Sequence, residues 1–329
     1  MLVVVALGGN AILRRGEPMT VASQRASIAA ACVPLAQIAR QHDLVVSHGN
    51  GPQVGLLALQ AASYDAVSEY PFDVLGAQTE GMLGYLIEQE LGNRLGKDRS
   101  IATLVTRTLV DAGDPAFDSP TKFVGPVYSA EAAQVLATTH GWQMRADGDK
   151  MRRVVPSPTP LRILETRPIQ WILDHRGVVI CAGGGGVPTT HDNDTGTFTG
   201  VEAVIDKDLA SAVLARDLGA RMLVIATDVD GVYADWGGPH QRLVARAHPD
   251  ALDPADFPAG SMGPKIRAAS QFARETGLSA VIGSLADIDE MFAGTAGTEV
   301  TTEVSGVELC PDGAGRAQLT AVPRSRPIM

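Results

Sequence analysis

The sequence predicts an α/β fold around an open, mostly parallel sheet, and three observations carry that prediction. Apolar runs too short for helices recur at residues 2–7, 44–47, 100–105, 177–182, 221–226 and 280–282. Longer helical stretches lie between them, at about 20–41, 76–95, 206–218 and 264–276. Several of the runs end in turns: Gly8-Gly9-Asn10, Gly49-Asn50-Gly51, the four glycines at 183–186, and Thr227-Asp228. Strands buried on both faces read as continuous apolar runs. Their alternation with helices implies βαβ units and right-handed crossovers.

Each element has a local reason. Residues 2–7 (LVVVAL) are aliphatic and β-branched, and the two glycines end the run. The stretch lacks a basic leader region and a cleavage site, so it reads as a first strand and not as a signal peptide. Residues 20–41 are rich in alanine, which favours helix. The second strand ends at His48-Gly49-Asn50-Gly51-Pro52, where Pro52 suits a first helical position. Residues 112–160 break the rhythm: they are rich in Pro, Gly and Asp, with short alternating runs at 123–128 and 152–155. This predicts a β-type excursion from the main sheet that can act as a lid. From about residue 302 the chain shows little periodicity, which predicts a loose C-terminal extension to 329.

Composition narrows the function. The 329 residues, 45% hydrophobic and 19% charged, suffice for one large α/β domain or two modest ones. The net charge of −10 repels nucleic acid and anionic membranes, so neither is an expected partner. An anionic substrate must then be held by local cations and backbone amides. No apolar run approaches the ~20 residues that span a bilayer. Cys32, Cys181 and Cys310 are scattered and lack metal spacing, which predicts no disulfide framework and a reducing, cytoplasmic setting. Only five of the 27 basic residues are lysines: Lys97, Lys122, Lys150, Lys207 and Lys265. A chain that uses arginine so freely keeps lysine where a compact, mobile point charge is needed, as beside a moving phosphoryl group.

Glycine turns at the carboxyl ends of parallel strands let backbone N–H groups approach an anion, and a following helix N-terminus adds positive potential. One such turn is only a tight connection; three in one sheet point to a phosphate crevice. Asp206-Lys207-Asp208 opens a helix. Asp206 is a natural N-cap, but Lys207 in the first turn opposes the helix dipole unless it neutralises a bound phosphate. Taken alone, the triplet is equally an exposed charge cluster. Ser261-Met262-Gly263-Pro264-Lys265 repeats the arrangement at the next helix start. Thr227 to Tyr233, with Asp228 between, stands where a base and ribose would be contacted, or is simply an Asp/Gly turn. Lys122, on a stiff Pro/Gly segment, can bring a cation over an acceptor when a lid closes; taken alone, it is more often a solvated loop lysine. His191-Asp192-Asn193-Asp194 has neither zinc nor calcium spacing, so no metal ligands are assigned. No Walker-type element is present.

These residues resemble a known family. Residues 6–11 (ALGGNA), 47–59 (SHGNGPQVGLLAL), 73–86 (DVLGAQTEGMLGYL), 114–128 (DPAFDSPTKFVGPVY), 152–158 (RRVVPSP), 182–188 (AGGGGVP), 200–210 (GVEAVIDKDLA), 227–233 and 260–265 (GSMGPK) are similar to the carbamate kinases of the amino acid kinase superfamily, over about residues 1–300. The resemblance implies a three-layer αβα sandwich with a small protruding lid subdomain at about 112–160. It implies an acceptor lobe over 1–199 and a nucleotide lobe over 200–301. It implies Lys207 and Lys265 on the transferring phosphate, Asp208 organising them, and Lys122 at the acceptor. Acceptor contacts are implied for Gly8, Gly9, Asn10, Gly49, Asn50, Gly51, Gly184 and Gly185. Nucleotide contacts are implied for Thr227, Asp228, Tyr233, Met262, Gly263 and Lys265. Relatives that phosphorylate amino-acid carboxylates carry lysine where this chain has Asn10, and Lys122 would supply that charge. Phe123 and Val127 stand where the family has proline and phenylalanine. ATP/ADP with Mg²⁺, a homodimer and a place in arginine metabolism are also implied.

The reaction so implied is ATP + carbamate ⇌ ADP + carbamoyl phosphate. Its acceptor oxygen is already anionic and needs no general base, in keeping with the lack of a convincing catalytic His or Glu. Three other readings stand beside it. The first is the same fold acting on another small acid. The second is a nicotinamide-dependent dehydrogenase using Gly49-Asn50-Gly51…Gly55 with Glu69, which leaves Lys207 and Lys265 unexplained. The third is a nucleotide sensor without catalysis.

Overall fold

The computed structural model describes residues 1–14, 16–63, 70–258 and 260–311. Its main sheet has ten strands. Six neighbours run parallel, in the order Ala280–Ser284, Met222–Thr227, Leu2–Leu7, Asp43–His48, Val178–Ile180 and Ile101–Thr103. Beyond Ala280–Ser284 lie the antiparallel Thr298–Val300, then Arg242–Ala247 and the short edge strand Tyr233–Ala234.

Alternation along the strands sorts the core into two layers. Val3, Val5 and Leu7 join a cluster under the helices Val21–Gln41 and Phe72–Leu95. Val4, Val45, Leu223 and Ile225 point the other way, against the helices Thr166–Asp174, Lys207–Asp217 and Met262–Thr276. Both faces are apolar because both are covered, and this makes the three-layer αβα sandwich. Each fully buried Val or Leu contributes about 1.5–3 kcal/mol.

Two smaller sheets flank this body. Arg107–Leu109, Arg162–Ile163, Val187–Asp192 and Thr197–Gly200 form one of four strands. Lys122–Tyr128, Lys150–Val155 and Met144–Asp147 form the other, of three antiparallel strands. The excursion is not purely β-type: Ala130–His140 is a helix, capped by the Ser129 hydroxyl and ended by left-handed Gly141. Arg153 pins this unit to the body, with its guanidinium 4.1 Å from the Trp142 ring centre and 4.8 Å from that of Phe72. Gly125 presses against the helix Gly51–Ser63, where a Cβ on Gly55 would lie 2.2 Å from Gly125 Cα.

The tail also differs from expectation at its start. Val307–Leu309 pairs antiparallel with Arg242–Ala247, and the Cys310 N–H donates to Leu243 O at 2.9 Å. The remainder of the tail, 312–329, lies outside the described residues, as does Glu69 of the dinucleotide reading.

Candidate active site

Leu2–Leu7 is a topological switch point. The chain leaves it for Asp43–His48 on one side and later returns with Met222–Thr227 on the other. The carboxyl ends of strands that part in this way are where an open parallel sheet binds its ligand.

The first turn is pressed against its neighbour. A Cβ on Gly8 would lie 2.8 Å from Ala226 O, so only glycine permits that approach. Gly9 and Asn10 begin the short helix Gly9–Ile12, and the Asn10 amide donates to Asp228 Oδ2 at 2.6 Å. Thr227 Oγ1 donates to the other oxygen of Asp228 at 3.2 Å. At the second turn the stem of Lys207 covers Gly49, with Cδ 3.3 Å from where a Cβ would stand. Gly51 opens its helix. Buried Asn50 donates to Thr79 Oγ1 at 2.8 Å and fills the space beside Gly184. Gly184 has a φ of 67°, and a Cβ there would come 2.0 Å from Asn50 Nδ2. Thr108 Oγ1 holds the Gly185 carbonyl at 2.7 Å.

The helix Lys207–Asp217 brings the charges to these turns. Asp206 caps it, Oδ1 accepting from Asp208 N at 3.0 Å, while Oδ2 pairs with Lys122 Nζ at 2.7 Å. Asp208 is bridged on both oxygens: Lys207 Nζ bonds Oδ1, and Lys265 Nζ, from the first turn of Met262–Thr276, lies 2.9 Å from Oδ2. The Asp208 side chain is only 4% exposed and each lysine 13%. Burial pushes both aspartates toward the neutral form, but the adjacent ammoniums outweigh it and hold both well below the usual carboxylate range. Burial lowers Lys207, and Asp208 opposes that shift. Two cations thus stand at the positive ends of two helices, where the dipole disfavours them and Asp208, with a smaller contribution from Asp206 at Lys207, compensates.

The remaining residues of interest lie further along. Gly263 packs under the loop before its helix, 3.1 Å from Pro254 O to a hypothetical Cβ. Met262 packs onto the core with Phe257. Tyr233 stands at the sheet edge, its ring 5.3 Å from Trp236 and its hydroxyl 3.4 Å from Asp230. Among the described residues no three His, Cys, Asp or Glu side chains cluster as a metal site.

The profile of the family described as "Amino acid kinase family" matches residues 1–284 of the chain. The chain belongs to the amino acid kinase family. It is 54% identical to the carbamate kinase of Haemophilus influenzae, over 93% of this chain and 99% of that one. It is likewise 54% identical to the carbamate kinase of Rhizobium meliloti, over 93% and 95%. The solved carbamate kinase of Giardia lamblia bound to AMP-PNP is 38% identical, covers 91% of this chain and 98% of its own, and superposes with a TM-score of 0.82. The chain is therefore a phosphotransferase of the amino acid kinase family.

Sequence reasoning saw Asp206 in this kinase only as a cap. Its ion pair with Lys122 spans 84 positions, and no local pattern signals it. It also passed over Glu80 and Thr106, which are fully buried beneath the 183–186 loop. An acidic residue in the middle of a helix otherwise lined by Leu83, Ile87 and Leu91 was the available signal for Glu80.

Proposed function

We propose that the chain is a carbamate kinase, catalysing ATP + carbamate ⇌ ADP + carbamoyl phosphate. The carrying observation is the Lys207–Asp208–Lys265 ion cluster, set at two helix N-termini beside three glycine turns. The carbamate kinases among its relatives supply the acceptor. The turns at Gly8, Gly9 and Asn10, at Gly49, Asn50 and Gly51, and at Gly184 and Gly185 would hold the acceptor and its phosphate through backbone amides. Lys207 and Lys265 would neutralise the charge that spreads over the transferring oxygens, with Asp208 fixing both ammoniums beforehand. Asn10 leaves the acceptor end uncharged, and Lys122 on the lid supplies a cation there while Asp206 serves as its counter-ion. Thr227, Asp228, Tyr233, Met262 and Gly263 would contact the nucleotide. Catalysis is positioning and charge neutralisation, because a carbamate oxygen attacks without losing a proton.

Asp206, Asp208 and Asp228 are already engaged by Lys122, by the lysine pair and by Asn10 and Thr227. They therefore do not fit a resident Mg²⁺ site, and Mg²⁺ belongs here to the ATP or ADP substrate. On this reading residues 1–199 form the acceptor lobe, including the lid at about 112–160, and 200–301 the nucleotide lobe. The enzyme works in the cytoplasm, in arginine metabolism. A homodimer is favoured by the helix Phe72–Leu95, which is apolar on its outer side too, with Val74, Met82 and Tyr85 exposed. The test is ATP formation from ADP and carbamoyl phosphate by the purified protein. No ATP formed, with ADP still bound, would sink the assignment.

A further inference from the structure

Below the 183–186 loop lies a buried polar chain that the transfer reaction does not use. Glu80, 1% exposed, accepts at Oε2 from both the N–H and the hydroxyl of Thr106, each at 3.1 Å. The Thr106 hydroxyl in turn accepts from Ala182 N–H at 2.7 Å, and its carbonyl accepts from Val187 N–H at 2.8 Å. Thr106 thus grips both ends of the glycine loop. The grip is needed, because Ala182 is a non-glycine residue in the left-handed region, with φ of 51°. The other oxygen of Glu80, Oε1, is buried and makes no well-formed hydrogen bond; the Gly183 N–H dipole acts on the carboxyl from the loop side. A Cβ on Gly183 would lie 2.9 Å from Glu80 Cγ and 2.6 Å from His48 Nε2, so both side chains touch the loop backbone from beneath.

We propose that Glu80 is a positioning residue whose proton sets the affinity of the 183–186 loop for its anionic ligand. The inference rests on the assignment of that loop to the acceptor and carbamoyl phosphate. Oε2 already receives two full hydrogen bonds, so the proton resides on Oε1, which the Gly183 N–H only approaches. Burial raises the Glu80 carboxyl to about 8, against the pull of the Thr106 hydrogen bonds, and it is neutral at neutral pH. Burial lowers His48 to about 4, and its Nδ1–H donates to Gly49 O at 3.1 Å, so it too is neutral. Burial raises the Cys181 thiol, which stays protonated. Glu165 adds a negative charge that raises Glu80 further and is itself paired with Arg107 at 2.8 Å. Lys207, which acts on His48, is the cation on this side. Loss of the Glu80 proton therefore places an uncompensated anion directly under a loop built to hold an anion.

The sign follows: affinity for carbamoyl phosphate is full below the Glu80 pKa and falls as pH rises through it. Initial rates of ATP formation from carbamoyl phosphate and ADP test this, because free carbamate itself varies with pH and carbamoyl phosphate avoids that. In the wild type, KM for carbamoyl phosphate rises about tenfold between about pH 7 and about pH 9, while KM for ADP does not follow. Glu80→Gln keeps an acceptor for Thr106 but cannot ionise, and its KM for carbamoyl phosphate changes less than about twofold over that range. Any titration of Lys207 persists in the variant, so the difference between the two profiles reports Glu80. Superimposable profiles overturn the proposal. Should the variant not fold, calorimetry of carbamoyl phosphate binding to the wild type in buffers of different ionisation enthalpy decides. Proton uptake centred near about pH 8 supports it, and its absence overturns it. If neither protein makes ATP at neutral pH while both bind ADP, the acceptor assignment fails first, a distinct result.

Discussion

Asp208→Asn is the sharpest perturbation of the ion cluster. The substitution keeps the shape of the side chain and removes its charge, leaving Lys207 and Lys265 facing one another behind a neutral amide. At 2.9 Å and an effective dielectric of about 20, the Lys265–Asp208 attraction alone is roughly 6 kcal/mol before desolvation is counted. Breaking one partner of a buried pair costs about 3–5 kcal/mol net, because the survivors stay buried without compensation. At about 2 °C per kcal/mol for a chain of this size, Tm falls by roughly 6–10 °C. A bound nucleotide phosphate would replace the lost carboxylate as the counter-ion. ADP should therefore raise the Tm of the variant more than that of the wild type, a contrast that plain destabilisation does not produce. Turnover also drops, and its alkaline limb moves to lower pH, since Lys207, already lowered by burial, loses the carboxylate that opposed that shift. Differential scanning calorimetry with and without ADP, beside a pH–rate profile, reads all three effects. A variant that melts within about 2 °C of the wild type, and gains no more from ADP, would refute this account of the cluster.

Three further outcomes follow from the same geometry. Lys207→Ala and Lys265→Ala should each lower kcat by at least about a hundredfold with the fold intact by circular dichroism; near-normal turnover in both would remove them from the transfer step. Gly184→Ala forces a Cβ to 2.0 Å from Asn50 Nδ2 at a φ of 67°. It should cost roughly 1–2 kcal/mol in denaturant unfolding and raise KM for carbamoyl phosphate more than KM for ADP. As pH drops from about 6.5 to about 4.5 two buried groups oppose one another: His48, held neutral to about 4 in the fold, takes a proton on unfolding and costs stability, while Glu80, protonated in the fold up to about 8, gives one up on unfolding and adds it. Stability therefore falls mainly below about pH 4, as Asp206 and Asp208, whose pKa values are depressed, lose their charge. His48→Gln should make stability rise as pH drops from about 6.5 to about 4.5 and leave the acid decline in place, as urea titrations across that range would show.

The legible parts of this molecule are those whose physics is local. A strand buried on both faces reads as a nearly continuous apolar run, so Leu2–Leu7, Asp43–His48 and Met222–Thr227 were readable, as were the glycines that end or follow them. The helix starts at Lys207 and Met262 were readable because proline, a cap residue or a misplaced cation marks them. What escaped lacks periodicity or spans distance. Arg107–Leu109 and Arg162–Ile163 are too short to show alternation. The edge strand Val307–Leu309 exists only because Arg242–Ala247 offers it a partner. The helix Ala130–His140 escaped for a different reason: its Ser129 cap and Gly141 stop were visible, but the prolines and glycines around it outweighed them.

The polar contacts of the site span long stretches of sequence. Lys122–Asp206, Asn10–Asp228 and Lys265–Asp208 join positions 84, 218 and 57 residues apart, and each crosses between elements that only the sheet order brings together. A sequence shows that the chain keeps few lysines and places three of them at helix starts or on a stiff loop. It cannot show which aspartate each one meets. That pairing decides the electrostatics. Had Asp208 met Lys122 instead, Lys207 and Lys265 would lie buried at two helix N-termini without the anion they share, an arrangement that the dipoles and desolvation both oppose. The fold therefore supplies what composition cannot: a counter-ion that keeps two cations in place, where on the proposed function a phosphate would share them.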